Sequence, residues 1–191
     1  MDKIKLGVLV GGTSIEREVS KKSCENLLAN LDENKYDITV YHLPADGNTE
    51  WAKNIISNPP QIVLSALHGG NGENGSIQGF LHCLNIPYIG SKVLSSAICM
   101  NKAMAKTVMK ANHIQVPDHV FVMRGVDFSQ YEESIKLMGF PLIVKPNRGG
   151  SSIGVIVARN MEDIHYGIKN IMETYDDDVL IEKFIDGKEI N

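Results

Sequence analysis

The sequence predicts an α/β fold in which helices flank a parallel sheet, followed by a second region of α+β character. Residues 4–10 form a nearly continuous apolar run that ends in two glycines, which is typical of a strand buried on both faces. Strand and helix patterns alternate over the residues that follow, as they do in a sheet built from βαβ units. After residue 114 the pattern shifts toward strands, so we predict an N-terminal domain at 1–114 and a second domain at 115–191.

The composition is that of a globular protein without a nucleic-acid partner. Of the 191 residues, 43% are hydrophobic and 22% are charged, and the net charge is −4 with lysines scattered along the chain. No apolar run reaches the roughly 20 residues needed to cross a bilayer, and the first residues lack the apolar stretch of a signal peptide. The three cysteines have no metal-ligand spacing and fit a reducing compartment, so we predict a cytoplasmic protein with no membrane partner.

A helix is predicted directly after the first strand, at residues 15–31. Its apolar residues lie near one face at helical spacing, and they are Ile15, Val19, Leu27, Leu28 and Leu31. A second strand follows at 37–43, a helix at 48–57 and a third strand at 61–67. Another inward-facing helix starts near Ser76. This order of elements favours a parallel sheet with helices on either side.

Two glycine-rich loops follow the first and third strands, at residues 11–16 and 68–76. Ligands bind at the carboxyl ends of the strands in such sheets, so we expect both loops on one rim. Thr13 and Glu16 have the spacing of a capping box, in which Glu16 reaches back to the Thr13 backbone N–H. The alternative is that Glu16 receives a substrate ammonium. His68, at the end of the third strand, is either a hydrogen-bonded structural histidine or a ligand contact.

One long helix is predicted at residues 94–111, where Lys102 and Lys106 lie four residues apart on a shared face. Lysines on helix surfaces mostly serve solubility, and we assign Lys106 to solvent for that reason. The remaining elements are a strand at 119–123, a helix at 128–140, a helix at 160–175 with Asn160 as its N-cap, a solvated acidic turn at 176–178 and a strand from 179.

Residues 141–159 predict two strands joined by a basic turn rich in glycine and serine. Both flanking segments are apolar and β-branched, and the turn has the sequence NRGGSS. The glycines let the backbone approach a ligand, and the serine amides and hydroxyls could donate to phosphate oxygens beside Lys145. An ordinary β-hairpin with a polar tip is the alternative, since Gly-Ser turns are common.

Five sequence blocks, in order, resemble the D-alanine–D-alanine ligase family of ATP-grasp carboxylate–amine ligases. They are GGTSIEREVS, LHGGNGENGSIQG, PYIGS followed by CMNKAMAK, VKPNRGGSSIGV and IEKFIDGKEI. The resemblance implies a Rossmann-like, pre-ATP-grasp N-terminal domain followed by an incomplete α+β ATP-grasp domain. It also implies ATP-dependent joining of two D-alanines through an acyl phosphate, for peptidoglycan synthesis.

The resemblance further implies roles for individual residues. Glu16 would fix the ammonium of the first substrate, Ser151 would hydrogen-bond to Glu16, and His68 would lie near the substrate carboxylate. Glu16 and Ser151 are therefore the candidate catalytic residues. The candidate nucleotide-binding residues are Lys102, Lys145, Gly150, Ser151, Ser152, Glu182, Phe184, Ile185 and Glu189. Within this set the lysines would neutralise ATP phosphates, Glu182 would accept the adenine amino group, and Glu189 would meet the ribose.

The cofactors implied by the family are ATP and Mg²⁺. In this family, three further parts of the site would fall outside these 191 residues. They are the metal ligands, an arginine for the transferring phosphate and a substrate loop. The sequence also stops at Asn191 within a strand–turn–strand pattern whose strands need partners. We therefore predict that this is the front part of a longer protein, and that it does not ligate by itself. The family suggests homodimerisation as well.

Two alternatives stay open. A ligase of the same family could use D-serine or D-lactate as its second substrate, and the residues that choose lie largely outside this sequence. The chain could also be a non-catalytic nucleotide-binding module, which would bind ATP weakly through Lys102, Lys145 and the Gly-Ser loop. Competition among the three D-substrates separates the ligases, and ATP titration against a Lys145→Ala variant tests for a nucleotide site.

Overall fold

The structure, a computed structural model, describes residues 2–188. Its contacts divide the chain into two compact units, one ending at Ile98 and one starting at Cys99. This division falls upstream of the composition shift near residue 114, because the helix that starts at Lys102 contacts strands of the second unit. None of the described helices has the length and apolar character needed to span a bilayer.

The first unit is built on a parallel sheet. The elements up to residue 100 are β1 (Ile4–Gly11), α1 (Arg17–Asn30), β2 (Tyr36–Leu43), α2 (Glu50–Ser57), β3 (Ile62–Ser65), a 3₁₀ turn (Gly70–Gly72), α3 (Ser76–Cys83) and α4 (Val93–Met100). The strand order is β2-β1-β3, and β1 pairs in parallel with both neighbours. The central position of β1 explains its nearly continuous apolar run, because a central strand of such a sheet is covered on both faces. The predicted α/β class is confirmed.

Helices cover both faces of this sheet. Leu6 and Val8 are buried in a cluster with Cys24 of α1. Leu9, the next residue along β1, is buried in a different cluster with Ile55 of α2. Successive side chains of a strand point to opposite faces, so one apolar strand supplies both cores.

α1 begins later than the sequence predicts. Arg17 is its first residue, Glu16 occupies the N-cap position, and the Glu16 side chain makes no capping hydrogen bond. The capping box between Thr13 and Glu16 is therefore wrong, because Thr13 lies in the loop before the helix. The Glu16 N–H instead donates to the Ser14 hydroxyl at 3.1 Å.

The predicted apolar face of α1 is confirmed at Leu27, Leu28 and Leu31, which pack against the core, but it is wrong near the start of the helix. Ile15 and Val19 are 71% and 48% exposed, whereas Ser20 and Cys24 are buried. The Ser20 hydroxyl accepts the Gly11 N–H at 2.8 Å, which ties the helix to the end of β1. A hydropathy pattern misses this face because serine counts as polar, although a small hydroxyl with a partner is readily buried.

The second unit is an antiparallel sheet with helices. Its elements are α5 (Lys102–Ala111), β4 (His119–Val122), α6 (Ser129–Met138), β5 (Leu142–Pro146), β6 (Ile156–Ala158), α7 (Met161–Tyr175) and β7 (Val179–Lys183). The strand order is β4-β7-β5-β6, and all pairs are antiparallel. Val144 and Ile181 on one face of the sheet are fully buried with Ile135 of α6 and Ile171 of α7. The two strands predicted on either side of the basic turn are confirmed as β5 and β6, which pair antiparallel.

Asparagine side chains set two helix starts in this region. The predicted helix at 94–111 is wrong as a single helix, because Asn101 breaks it and its side-chain oxygen accepts the Met104 N–H at 3.0 Å. Asn160 was predicted as the N-cap of the later helix and is confirmed, since it accepts the Asp163 N–H at 2.9 Å. Each cap satisfies a backbone donor that the helix itself cannot use.

Candidate functional site

Two charged side chains, those of Lys145 and Glu182, lie together on one face of the second sheet. The register pairs Lys145 with Leu180 and Ile143 with Glu182, so Lys145 and Glu182 are diagonal neighbours on the same face. This face is opposite the one that buries Val144, because side chains alternate along a strand. The Lys145 ammonium donates to Glu182 Oε1.

Helix α5 brings a second lysine to the same carboxylate. Lys106 Nζ lies 2.7 Å from Glu182 Oε2, and these two side chains are only 12% and 11% exposed. The assignment of Lys106 to solvent is therefore wrong. The i, i+4 spacing of Lys102 and Lys106 correctly predicts a shared face, but it carries no information on what covers that face.

Lys102 holds the loop after β5. Its ammonium donates to the carbonyl oxygens of Pro146, at 2.9 Å, and of Gly149. Burial lowers the pKa of Lys102 and the like charge of Lys145 lowers it further, against the opposing attraction of nearby carboxylates. Carbonyl dipoles neutralise an ammonium less completely than a carboxylate does, so this site favours an incoming anion.

Glu182 is the acidic centre of this group of lysines. Burial by itself raises the pKa of the Glu182 carboxyl, but the hydrogen bonds and charges of Lys106 and Lys145 outweigh burial and hold the pKa below its ordinary value. We refer to Lys102, Lys106, Lys145 and Glu182 as the lysine cluster. Within the described residues these four side chains carry a net positive charge, which suits a polyphosphate.

Asn147 connects this cluster to the start of α5. It is fully buried, its side-chain oxygen accepts the Ala103 N–H at 3.0 Å, and its carbonyl oxygen accepts the Lys102 N–H at 3.0 Å. Both donors belong to the first turn of α5 and have no partner within the helix. Sequence reasoning missed this role, because an asparagine beside Arg-Gly-Gly is an ordinary turn residue by composition.

The acidic turn after α7 anchors the same loop. The Arg148 N–H donates to the Asp177 carboxylate at 2.6 Å, and the Arg148 guanidinium donates to Asp178 at 3.1 Å. Asp177 is only 7% exposed, so the prediction of a solvated turn is wrong for this residue, whereas the Asp176 side chain is exposed. The two aspartates hold the loop at its start, while the loop tip lies farther along the chain.

The tip of the loop has an uncommon backbone. Ser151 and Ser152 adopt φ values of 51° and 56°, in the left-handed region, and both are exposed. That conformation costs an L-residue roughly 1–2 kcal/mol per position. The Gly150 carbonyl accepts the Ile153 N–H at 3.1 Å, which closes the turn. Consecutive amides in such turns form concavities that bind anions, so the strain is consistent with a phosphate loop.

The remaining nucleotide candidates follow Glu182 in the chain. Phe184 and Ile185 come directly after β7, and they are 38% and 66% exposed. An exposed apolar pair next to a buried carboxylate is a suitable surface for a planar base. Glu189 lies outside the described residues.

In the first unit the two glycine-rich loops meet, as their positions after parallel strands predict. They line a cavity of about 140 Å³ whose wall includes Thr13 and Ser14 from the first loop and His68 and Gly69 from the second. Glu16 lies against Gly69, because a Cβ at that glycine would overlap the Glu16 carboxylate. The cavity has room for a few non-hydrogen atoms, as in a small amino acid.

His68 is held by a hydrogen bond on one side of its ring. Its Nε2 lies 2.8 Å from the Ser23 hydroxyl of α1, and its Nδ1 lies 4.0 Å from the Glu73 carboxylate. These contacts match the structural role that the sequence left open, and the cavity wall matches the ligand role. Both roles are compatible, because a histidine held in one orientation presents a fixed edge to a ligand.

Another groove of the second unit lies away from these lysines. It measures about 1040 Å³ and is lined by the end of α5, residues 113–118, β4 and α6, without the lysine cluster. We assign the candidate site by the convergence of buried charges rather than by volume. Within residues 2–188, no group of three or more His, Cys, Asp or Glu side chains is arranged to hold a metal ion.

Two models of one protein family match this chain. The family model described as D-ala D-ala ligase N-terminus matches residues 49–91, and the model described as D-ala D-ala ligase C-terminus matches residues 108–191. The chain belongs to the D-alanine–D-alanine ligase family. Both units therefore carry the signature of one family, in the order that family has them.

Individual relatives agree with this assignment. A D-alanine–D-alanine ligase of Bacillus anthracis is 41% identical over 98% of the chain, which covers 59% of that protein. A crystal structure of the Bacillus anthracis ligase complexed with ATP matches 96% of the chain and 60% of its own length, with a TM-score of 0.83 and 35% identity. The VanG D-Ala:D-Ser ligase of Enterococcus faecalis matches 97% of the chain and 64% of its own length, with a TM-score of 0.83 and 27% identity. The chain thus spans about 60% of the length of these D-alanine–D-alanine ligases.

Proposed function

We propose that this chain carries the first-substrate and nucleotide sites of an ATP-dependent D-alanine–D-alanine ligase that serves peptidoglycan synthesis. In this reaction an oxygen of the first D-alanine carboxylate attacks the γ-phosphorus of ATP, and ADP leaves. The amine of the second D-alanine then attacks the acyl phosphate carbon, and phosphate leaves as the peptide bond forms. The lysine cluster within a chain of this family is the observation that carries the proposal.

The second unit binds ATP. Lys102 and Lys145 neutralise the phosphates, and the loop that includes Gly150, Ser151 and Ser152 closes over them with its amides and hydroxyls. Phosphoryl transfer depends mostly on alignment and charge placement, so preset donors lower the barrier without reorganising water. At the other end of the nucleotide, the proposed contacts are Glu182 with the adenine amino group, Phe184 and Ile185 with the base, and Glu189 with the ribose.

The first unit binds the first D-alanine. Glu16 receives the substrate ammonium, and His68 lies near the substrate carboxylate. The support is the cavity whose wall includes His68, and the contact between Glu16 and Gly69 beside it. Glu16 and, in the second unit, Ser151 are the catalytic residues that we propose from the family resemblance.

Titration with a non-hydrolysable ATP analogue tests the nucleotide site. Wild-type chain should bind the analogue with measurable heat. Lys145→Ala should weaken binding by about tenfold or more, because a contact to a charged group contributes about 1.5–3 kcal/mol and about 1.4 kcal/mol is a tenfold change in affinity. Lys110→Ala is the matched control, because Lys110 is an exposed lysine on α5. Absence of binding by the wild-type chain would reject the proposed nucleotide site.

A second candidate is a ligase that takes D-serine or D-lactate as its second substrate. The similarity to the VanG D-Ala:D-Ser ligase, at 27% identity, is the observation that keeps it open. Competition among D-alanine, D-serine and D-lactate in an assay of ADP release by the full-length enzyme separates the candidates. A clear preference for D-serine or D-lactate would overturn the assignment of D-alanine as second substrate.

The remaining assignments extend the same proposal. The enzyme acts in the cytoplasm, dimerises, and uses Mg²⁺ through ligands outside the residues described. The 191 residues by themselves do not ligate, because the family resemblance assigns the metal ligands and a phosphate-stabilising arginine to other segments. Phosphate release from ATP with D-alanine by the purified 191-residue chain would contradict this expectation.

A further inference from the structure

We propose that Lys106 is a positioning residue of the nucleotide site. It keeps the Glu182 carboxylate ionised and fixed in place while Lys145 leaves that carboxylate to meet the phosphates. This inference rests on the proposed ATP site, and it gives a function to a lysine that the family resemblance and the spacing left unassigned.

The geometry shows why a second lysine is needed. Each oxygen of the Glu182 carboxylate has its own ammonium, with Lys145 at Oε1 and Lys106 at Oε2. The Lys145 charge cannot serve a phosphate fully while it neutralises Glu182. When Lys145 turns to the phosphates, Oε1 becomes available to the adenine amino group and Oε2 stays paired with Lys106.

Without Lys106 the exchange would be unfavourable. Glu182 is 8% exposed, and a buried carboxylate that loses its last cation carries a large desolvation cost. A chain lacking Lys106 would therefore keep Lys145 on Glu182 and bind phosphate weakly. Lys106 itself is poorly placed to replace Lys145, because its side chain is 12% exposed and already engaged.

A double-mutant cycle distinguishes positioning from direct phosphate binding. The variants are Lys106→Met, Glu182→Gln and the double variant, and the probe is the magnesium complex of a non-hydrolysable ATP analogue, measured by calorimetry. We expect Lys106→Met to weaken binding about tenfold in the wild-type background and less than about twofold in the Glu182→Gln background, a coupling that independent sites do not show. Lys106→Arg should restore most of the affinity, and Lys110→Met should leave it unchanged.

The outcomes separate the two proposals. If the wild-type chain does not bind the analogue, the nucleotide site itself is rejected and this inference falls with it. If the wild-type chain binds but Lys106→Met binds equally well, the positioning role alone is rejected. An equal loss in both backgrounds would make Lys106 a direct phosphate ligand and would also overturn the positioning role. If circular dichroism shows that the Lys106→Met variant is unfolded, Lys106→Gln takes its place in the cycle.

Discussion

Lys106 Nζ lies 2.7 Å from Glu182 Oε2, and about a tenth of either side chain is exposed. The carboxylate also receives the Lys145 ammonium, so one negative charge holds two positive ones in place. The two partners of the Lys106–Glu182 pair are therefore not equivalent. Removing the carboxylate leaves several lysines facing one another, whereas removing Lys106 leaves the carboxylate with Lys145.

Glu182→Gln should destabilise the second unit more than Lys106→Met does. We expect the free energy of unfolding to fall by about 2–4 kcal/mol for Glu182→Gln and by about 1 kcal/mol for Lys106→Met. Glu182→Gln leaves buried lysines without their carboxylate, which costs more than removing one of the two lysines that contact the carboxylate. Urea unfolding followed by far-ultraviolet circular dichroism at neutral pH measures both. An equal or larger loss for Lys106→Met would contradict the central position of the carboxylate.

The contribution of Glu182 to stability should depend on pH in a defined direction. Its pKa in the folded chain is below its ordinary value, because the lysine contacts outweigh burial. A carboxyl with a lowered folded pKa stabilises the fold above its unfolded pKa, and this stabilisation is lost as pH falls through the folded pKa. We expect the stability difference between wild type and Glu182→Gln to be constant from about pH 7 to about pH 5 and to shrink below the unfolded pKa of about 4.3.

Glu132 provides the comparison for this experiment. It pairs with Lys136 across one helical turn on an exposed surface, at 2.9 Å. Exposed pairs of this kind contribute little, so Glu132→Gln should change stability far less than Glu182→Gln at every pH. A difference for Glu182→Gln that grows as the pH falls would have the wrong sign for this explanation.

Asn147→Ala should loosen the start of α5 at a defined amide. The substitution removes the acceptor for the Ala103 N–H, and we expect a loss of about 1–3 kcal/mol because that donor is buried. Hydrogen exchange at Ala103 should accelerate. Asn101→Ala is the matched control, since it removes the cap of Met104 and should accelerate exchange at Met104 instead. Slow exchange at Ala103 in the Asn147→Ala variant would contradict the cap.

Gly69→Ala should disturb the first-substrate cavity more than Gly70→Ala does. Both glycines have positive φ, at 65° and 48°, so both alanines are strained. A Cβ at Gly69 would also overlap the Glu16 carboxylate and the Ser14 hydroxyl, whereas a Cβ at Gly70 would have its nearest neighbour at 3.6 Å. We expect the free energy of unfolding of the first unit to fall by about 1 kcal/mol for Gly70→Ala and by at least about 2 kcal/mol for Gly69→Ala.

Tryptophan fluorescence measures this pair of variants. Trp51 is the single tryptophan of the chain and lies in the first unit, with its ring 5.4 Å from that of Phe80. Its emission therefore follows unfolding of the first unit. Equal losses for the two glycine variants would show that the Glu16 side chain yields to the added methyl group without cost.

Local patterns in the sequence were sufficient for much of the fold. A nearly continuous apolar run predicts the buried β1, and the alternation of elements predicts the parallel sheet. Asn160, a favoured N-cap residue, predicts the start of α7. The meeting of the two glycine-rich loops also follows from topology, because parallel strands end at one rim. In the candidate site, the i, i+4 spacing predicts that Lys102 and Lys106 share a face.

The tertiary structure decided which faces are covered and which distant atoms meet. Periodicity compares residues a few positions apart. It therefore cannot show that Ser20 faces the sheet or that Lys106 is largely buried beside Glu182. Likewise, the buried roles of Asn147 and Asp177 depend on partners far away in the chain. A buried polar group is stable only where a partner satisfies it, and that partner is fixed by long-range packing rather than by local sequence.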